Sequence, residues 1–138
     1  MTWGQHALAL AAVASLKSKD PYVKVGCTLL RHNNTVAAHG FNGFPAGIEE
    51  DWSDRDRRRK FVVHAEQNAL RYIRPDECYL AATTLLPCND CLKSLSSYGI
   101  KKVIYADVYD KDNSSLELAE KLGIELIQID CPIKISYI

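Results

Sequence analysis

CYLAATTLLPCNDCLKSLSSYGIKKVIYAD, residues 78–107, reads as a strand, a helix that begins at about Cys88 and a second strand. Pro87 suits the first turn of that helix, where its missing N–H costs nothing. Downstream, SSLELAEKLG (114–123) has a helical pattern and IELIQID (124–130) a strand pattern. Alternation of this kind specifies a layered α/β domain with helices on both faces of one sheet.

Working upstream, a further helix is expected from about His64. Apolar residues from Leu8 through Ala12 to Leu16 recur at helical spacing until Asp20-Pro21 stops them, which predicts a buried helix over 3–18. KVGCTLLR and TVAAHGFN, separated by His32-Asn33-Asn34, predict a β-hairpin that opens the sheet. GFNGFPAG (40–47) holds three glycines and a proline and is expected to be a shaped loop rather than the interior of an element. EEDWSDRDRRRK (49–60) runs from acidic to basic and is expected to be a solvated connection. The chain contains no internal repeats, low-complexity tracts or linkers.

With 138 residues and 47% hydrophobic content the chain fits one domain, 1–138. Its 17 basic and 17 acidic residues balance, so net charge gives no reason to expect nucleic acid or an anionic membrane, and a small-molecule partner is expected. The N-terminus lacks the basic region and cleavage site of a secretory signal. No window approaches the roughly 18 apolar residues of a spanning helix. A soluble protein is expected.

Five cysteines, an odd count without an export signal, argue against a disulfide framework. Cys88 and Cys91 stand apart: at i and i+3 of the same helix start, their sulfurs share a face. The partial positive charge of a helix N-terminus favours thiolate, the form that binds metal. In FVVHAEQNAL (61–70), His64 and Glu66 stand at the start of another predicted helix. Two thiolates and an imidazole supply three ligands, and three ligands with an open position describe catalytic rather than structural zinc. Glu66 is then free to handle protons on a water that the metal makes acidic. H-x-E followed by P-C-x-x-C is the known signature of zinc nucleobase deaminases.

Blander readings exist for each part. His64 alone would suit a buried histidine bonded to a carbonyl, and Glu66 alone a first-turn carboxylate placed for the helix dipole. A structural zinc would need a fourth ligand from Cys27, Cys78 or Cys131, the first two of which read as inert core thiols. A redox Cys pair would leave His-x-Glu unexplained.

DPYVKVGC (20–27), GFNGFPAG, VVHAEQNAL (62–70), TLLPCNDCLKSLSSYGIKKVIY (84–105) and Tyr109 together resemble the cytidine deaminase-like superfamily, and within it the deoxycytidylate (dCMP) deaminases. The resemblance implies a three-layer α/β/α fold with a mixed sheet of about five strands, and hydrolysis of dCMP to dUMP and ammonia for thymidylate synthesis in the cytoplasm. It implies one catalytic Zn²⁺ held by His64, Cys88 and Cys91, with Glu66 moving protons between water, ring and leaving amine. Backbone at Ala65 would contact the base and Asn42 the deoxyribose 3′-hydroxyl. Lys24, Arg71 and Arg74, with Tyr72 and Tyr109 as aromatic neighbours, are candidates around the phosphate. Many members are hexamers activated by dCTP and inhibited by dTTP, with Mg²⁺ on the triphosphate. The loop bearing Gly43, Phe44, Pro45 and Gly47 corresponds to their effector site, and Ala46 departs from the larger residue that relatives often carry. A deaminase acting on dCTP, or a tRNA or polynucleotide deaminase using Arg57 to Lys60, are the alternatives within the superfamily, and a zinc-stabilised binding module is the alternative outside it.

Overall fold

The structure, a computed structural model, describes residues 1–108 and 114–134. Helix α1 (Trp3–Ser15) starts with a capping box, in which Thr2 accepts from the Gln5 backbone and the Gln5 side chain accepts from the Thr2 backbone N–H. It ends three residues before the expected boundary, where amides 16 to 18 bond to carbonyls 13 to 15 in tight turns. That early exit frees Ser18 and Asp20 for tertiary contacts described below.

Strands β1 (Gly26–Arg31) and β2 (Val36–Phe41) form the expected hairpin, with Asn34 in the left-handed conformation that its short amide side chain tolerates. After helices α2 (Arg55–Phe61) and α3 (Ala65–Leu70) come β3 (Cys78–Leu85), α4 (Asn89–Ser97), β4 (Lys102–Asp107), α5 (Ser114–Leu122) and β5 (Glu125–Gln128). The five strands lie in the order β2-β1-β3-β4-β5. β1 is antiparallel to both neighbours, whereas β3, β4 and β5 run parallel, so the sheet is mixed.

Side chains alternate between the two faces of the sheet. Leu30, Leu80, Ala82 and Ile104 pack with Ala7 and Leu8 of α1. Leu29, Ala81 and Val103 face the other way, against Ala65 and Ala69 of α3, Leu92 and Leu95 of α4 and Ala119 of α5. Three layers result, as the resemblance implied.

Two glycines set how closely the helices approach. A Cβ at Gly26 would lie 1.8 Å from the Ala11 carbonyl oxygen of α1. One at Gly40 would lie 2.4 Å from the Ala65 oxygen and 2.6 Å from the Ala69 nitrogen of α3. Backbone cannot yield as a flexible side chain does, so only glycine admits these contacts. Gly40 therefore fixes the depth of the helix that presents His64 and Glu66.

Two sequence expectations are corrected. The strand and loop readings overlap at residues 40–42, and the strand reading holds for Gly40 and Phe41, which belong to β2; the shaped loop starts only at Asn42, and the glycine at 40 serves helix packing and not a turn. Within 49–60, residues from Arg55 onward form α2 rather than a solvated connection. Asp54 caps α2 by accepting from the amides of Asp56 and Arg57, and Arg58 is buried against Asp20. The charge run concealed one inward-facing cation.

Candidate active site

Cys88 and His64 occupy the N-cap positions of α4 and α3, each with extended backbone and neither using its side chain to cap the helix. Their carbonyls accept the first helical bonds, from Leu92 and Asn68, which leaves imidazole and thiol free for other work. Cys91 follows in the first turn of α4. His64 Nδ1 lies 3.5 Å from Cys88 Sγ and 3.4 Å from Cys91 Sγ, and the three ligand atoms are all within 4.8 Å of one another.

One ring nitrogen and two sulfurs at this separation fit tetrahedral zinc in donor type and number. His64 and Cys88 are exposed and Cys91 is buried, so the group opens on one side. Among the described residues it is the one cluster of this kind. Cys27 and Cys78 are buried in β1 and β3, and burial raises both thiols. Cys131 packs against the α1 face of the sheet. None of them joins the ligand group, which removes the closed structural site as a reading.

Cys88 is held as thiolate, its pKa lowered to about 4 by hydrogen bonds from Cys91 and His64. Cys91 moves up in turn, first through its hydrogen bond to Cys88 and then through burial. His64 is raised by its bond to Cys88. The cluster thus shares protons that a bound dication would displace.

Glu66, in the first turn of α3, is 4% exposed, and burial raises its carboxyl above the usual range. A carboxyl whose basicity is raised in this way is a better proton acceptor than a free carboxylate. Glu66 lines the same cavity as His64 and Cys88, a space of about 590 Å³.

Of the other expected site residues, the structure brings Ala65 and Asn42 to this cavity. Asn42 is buried and held by three hydrogen bonds: Nδ2 donates to Val23 O (3.0 Å) and Asp20 Oδ2 (3.2 Å), and Oδ1 accepts from the Val25 amide (2.9 Å), which leaves one lone pair of Oδ1 over. Lys24 is not brought there. Its neighbours Val23 and Val25 line the cavity, while the Lys24 ammonium donates to the Ser18 carbonyl. Arg71 and Tyr72 (65% exposed) lie instead at a second cavity along β2, and Arg74 does not line the first cavity. Tyr109 lies outside the described residues.

Asp20, Asn89, Ser114 and Ser115 line the cavity although the sequence reading assigns them no site role, and Arg58 and Arg59, read only as part of the polynucleotide alternative, line it too. Asn89 donates to Ser114 Oγ at 3.0 Å and accepts from Ser115 at 3.2 Å, which ties the start of α5 to that of α4. Only one signal could have flagged Arg58, an arginine four positions after a capping aspartate and so in the second turn of a short helix.

Gly43 pairs with Val63 in an antiparallel bridge (N···O 3.1 and 2.8 Å), which links the glycine-rich loop to the residue before His64. Phe44 packs on Trp52 with ring centroids 4.6 Å apart, beside the second cavity, and Gly47 adopts a positive φ of 86°.

Comparison with known proteins agrees with this chemistry. The family described as the cytidine and deoxycytidylate deaminase zinc-binding region matches residues 1–107. A probable deoxycytidylate deaminase of Caenorhabditis elegans is 35% identical over 127 residues, covering 86% of this chain and 63% of the relative. Human deoxycytidylate deaminase is 32% identical over 130 residues, covering 83% and 71% of the two chains. The dCMP deaminase of cyanophage S-TIM5, crystallised with dCMP and dUMP, superposes with a TM-score of 0.71 at 28% identity, covering 92% of this chain and 93% of that one. With its three-ligand group, its buried glutamate and its mixed sheet, this chain belongs to the cytidine and deoxycytidylate deaminase family.

Proposed function

We propose that the protein is a zinc-dependent deaminase that hydrolyses dCMP to dUMP and ammonia, and so feeds thymidylate synthesis. The observation that carries this reading is the placement of buried Glu66 on one cavity with His64 and Cys88, two members of the group that Cys91 completes. Deoxycytidylate deaminases among the relatives supply the choice of nucleotide.

His64, Cys88 and Cys91 would hold the metal. Zinc in such a site supplies an acidified water at neutral pH. Glu66 takes one proton of the attacking water and passes it to ring N3 as the new C4–O bond forms. It then takes the second proton and delivers it to the amine, so that the C4–N bond breaks, ammonia leaves and C4 keeps a carbonyl oxygen. Both water protons travel through one carboxylate, and a raised pKa suits that two-way traffic. The Ala65 backbone contacts the base, and Asn42, whose amide is locked by Asp20, Val23 and Val25, presents the rest of Oδ1 to the 3′-hydroxyl.

Regulation belongs to the same reading: dCTP with Mg²⁺ activates, dTTP inhibits, and the enzyme works as a cytoplasmic hexamer. Support comes from the second cavity of about 700 Å³, where Phe44 and the neighbouring loop meet Lys17, Lys19, Arg71 and Tyr72. The Trp52 indole N–H on that cavity is buried without a partner among the described residues, a donor suited to a nucleotide acceptor.

The test is loss of the cytosine chromophore when zinc-loaded protein meets dCMP, with and without dCTP and Mg²⁺, while product analysis follows both nucleotides. Conversion of dCMP that rises when unreacted dCTP is present is the expected result. Consumption of dCTP instead would move the substrate to the triphosphate. Inertness toward both, with salt-dependent RNA binding, would favour a polynucleotide substrate.

A further inference from the structure

The cavity wall built by α2 and the residues after α1 carries a cation that base deamination does not use. Arg58 is 8% exposed, and its Nη1 donates to Asp20 Oδ2 at 2.9 Å. The Tyr22 ring lies 4.4 Å from its Cζ. Asp20, 1% exposed, has little left to offer: Oδ1 accepts from the amides of Tyr22 (2.8 Å) and Val23 (3.2 Å), and Oδ2 also accepts from Asn42 (3.2 Å). A carboxylate has about four lone-pair sites, so these four donors saturate it.

A guanidinium has five N–H donors in a fixed fork, and a paired carboxylate often takes two of them side by side. Here a single nitrogen is engaged. The Nε–H is buried and has no partner among the described residues. Arg58 is thus oriented by Asp20 and Tyr22 yet left with donors to spare on the cavity that Glu66, His64 and Cys88 also line. Arg59 stands beside it on the same wall, exposed. An always-charged planar fork whose own carboxylate is saturated matches a tetrahedral dianion.

We infer that Arg58 is the residue that recognises the 5′-phosphate of the substrate and so sets the preference for nucleotide over nucleoside. The inference rests on the deaminase reading above. Asp20 is a positioning residue in this scheme: it orients Arg58 and, through Asn42, links the phosphate end of the cavity to the sugar.

Steady-state rates with dCMP, and inhibition by dUMP and by deoxyuridine, test this on zinc-loaded wild type, Arg58→Met and Arg58→Lys. Loss of a hydrogen-bonded charge is expected to raise KM for dCMP at least about tenfold. The dUMP inhibition constant should rise by the same factor, kcat should change little, and deoxyuridine inhibition should stay put. R58K, which keeps the charge but not the fork, should fall between. If R58M does not fold, R58K carries the same comparison of dUMP with deoxyuridine. Parallel weakening of both inhibitors, or no weakening of dUMP, overturns the inference while leaving the deaminase intact. A folded, zinc-loaded wild type that turns over no dCMP overturns the function itself, and the inference with it.

Discussion

The cavity has two ends built in opposite ways. At the catalytic end, His64 and Glu66 lie two positions apart and Cys88 and Cys91 three apart, so short-range spacing alone groups the chemistry within each pair. At the other end, Asp20, Asn42 and Arg58 come from three separate segments and meet only in the fold. The first end depends on what the residues are, since the proposed metal binding and proton transfer need these side-chain types. The second depends on where residues are held. A substitution should therefore abolish function at the first end and degrade placement or stability at the second.

The sharpest contrast comes from Glu66→Gln. Removal of a general acid–base group should lower kcat by at least about 10²-fold. Zinc content, measured by metal analysis, should stay at wild-type level because Glu66 is not a ligand. Unchanged turnover with zinc retained would end the assignment of Glu66 as proton carrier. Metal removal reaches the same end by another route: a strong chelator should abolish turnover, and added zinc should restore it. In Cys91→Ser, which breaks the ligand set, added zinc should restore little.

At the other end, Asp20→Ala leaves the Arg58 guanidinium buried without its carboxylate, and loss of one partner of a buried pair costs about 3–5 kcal/mol. Chemical denaturation should show that loss, with metal binding intact in the protein that remains folded. A stability unchanged from wild type would mean that the pair is no anchor.

Gly40→Ala probes the joint between the two ends. Its Cβ would press on backbone of α3, and overpacking of this kind costs about 1–3 kcal/mol. Because α3 carries Glu66, kcat should fall together with stability. Glu117→Gln sets the baseline: its pair with Lys121 is about 70% exposed on both sides, so neither melting temperature nor activity should move measurably.

The legibility of the molecule followed the range of the interactions. The hairpin about Asn34, the strand from Cys78 and the helix after Cys88 are written in local periodicity and punctuation, and the structure places all three as read. The grouping of Cys88 with Cys91, and of His64 with Glu66, was legible because helix geometry converts sequence spacing into spatial proximity within each pair. Within 49–60, read as a solvated connection, the helical part was missed because a buried arginine looks like a solvated one until its partner is known, and that partner lies 38 residues away. Gly40 was misread for a similar reason: a glycine required by a helix crossing leaves the same mark in sequence as one required by a turn.

The layered α/β class and the candidate pairs, Cys88 with Cys91 and His64 with Glu66, are readable from the chain alone, since each rests on contacts between near neighbours in sequence. Only the tertiary structure decided that the two helix starts meet within 4.8 Å, that Cys27, Cys78 and Cys131 stay apart from them, and that Arg58 rather than Lys24 or Arg71 stands at the cavity. Those outcomes depend on the strand order, the close crossings at Gly26 and Gly40 and a buried ion pair, all of which join residues that no local pattern connects.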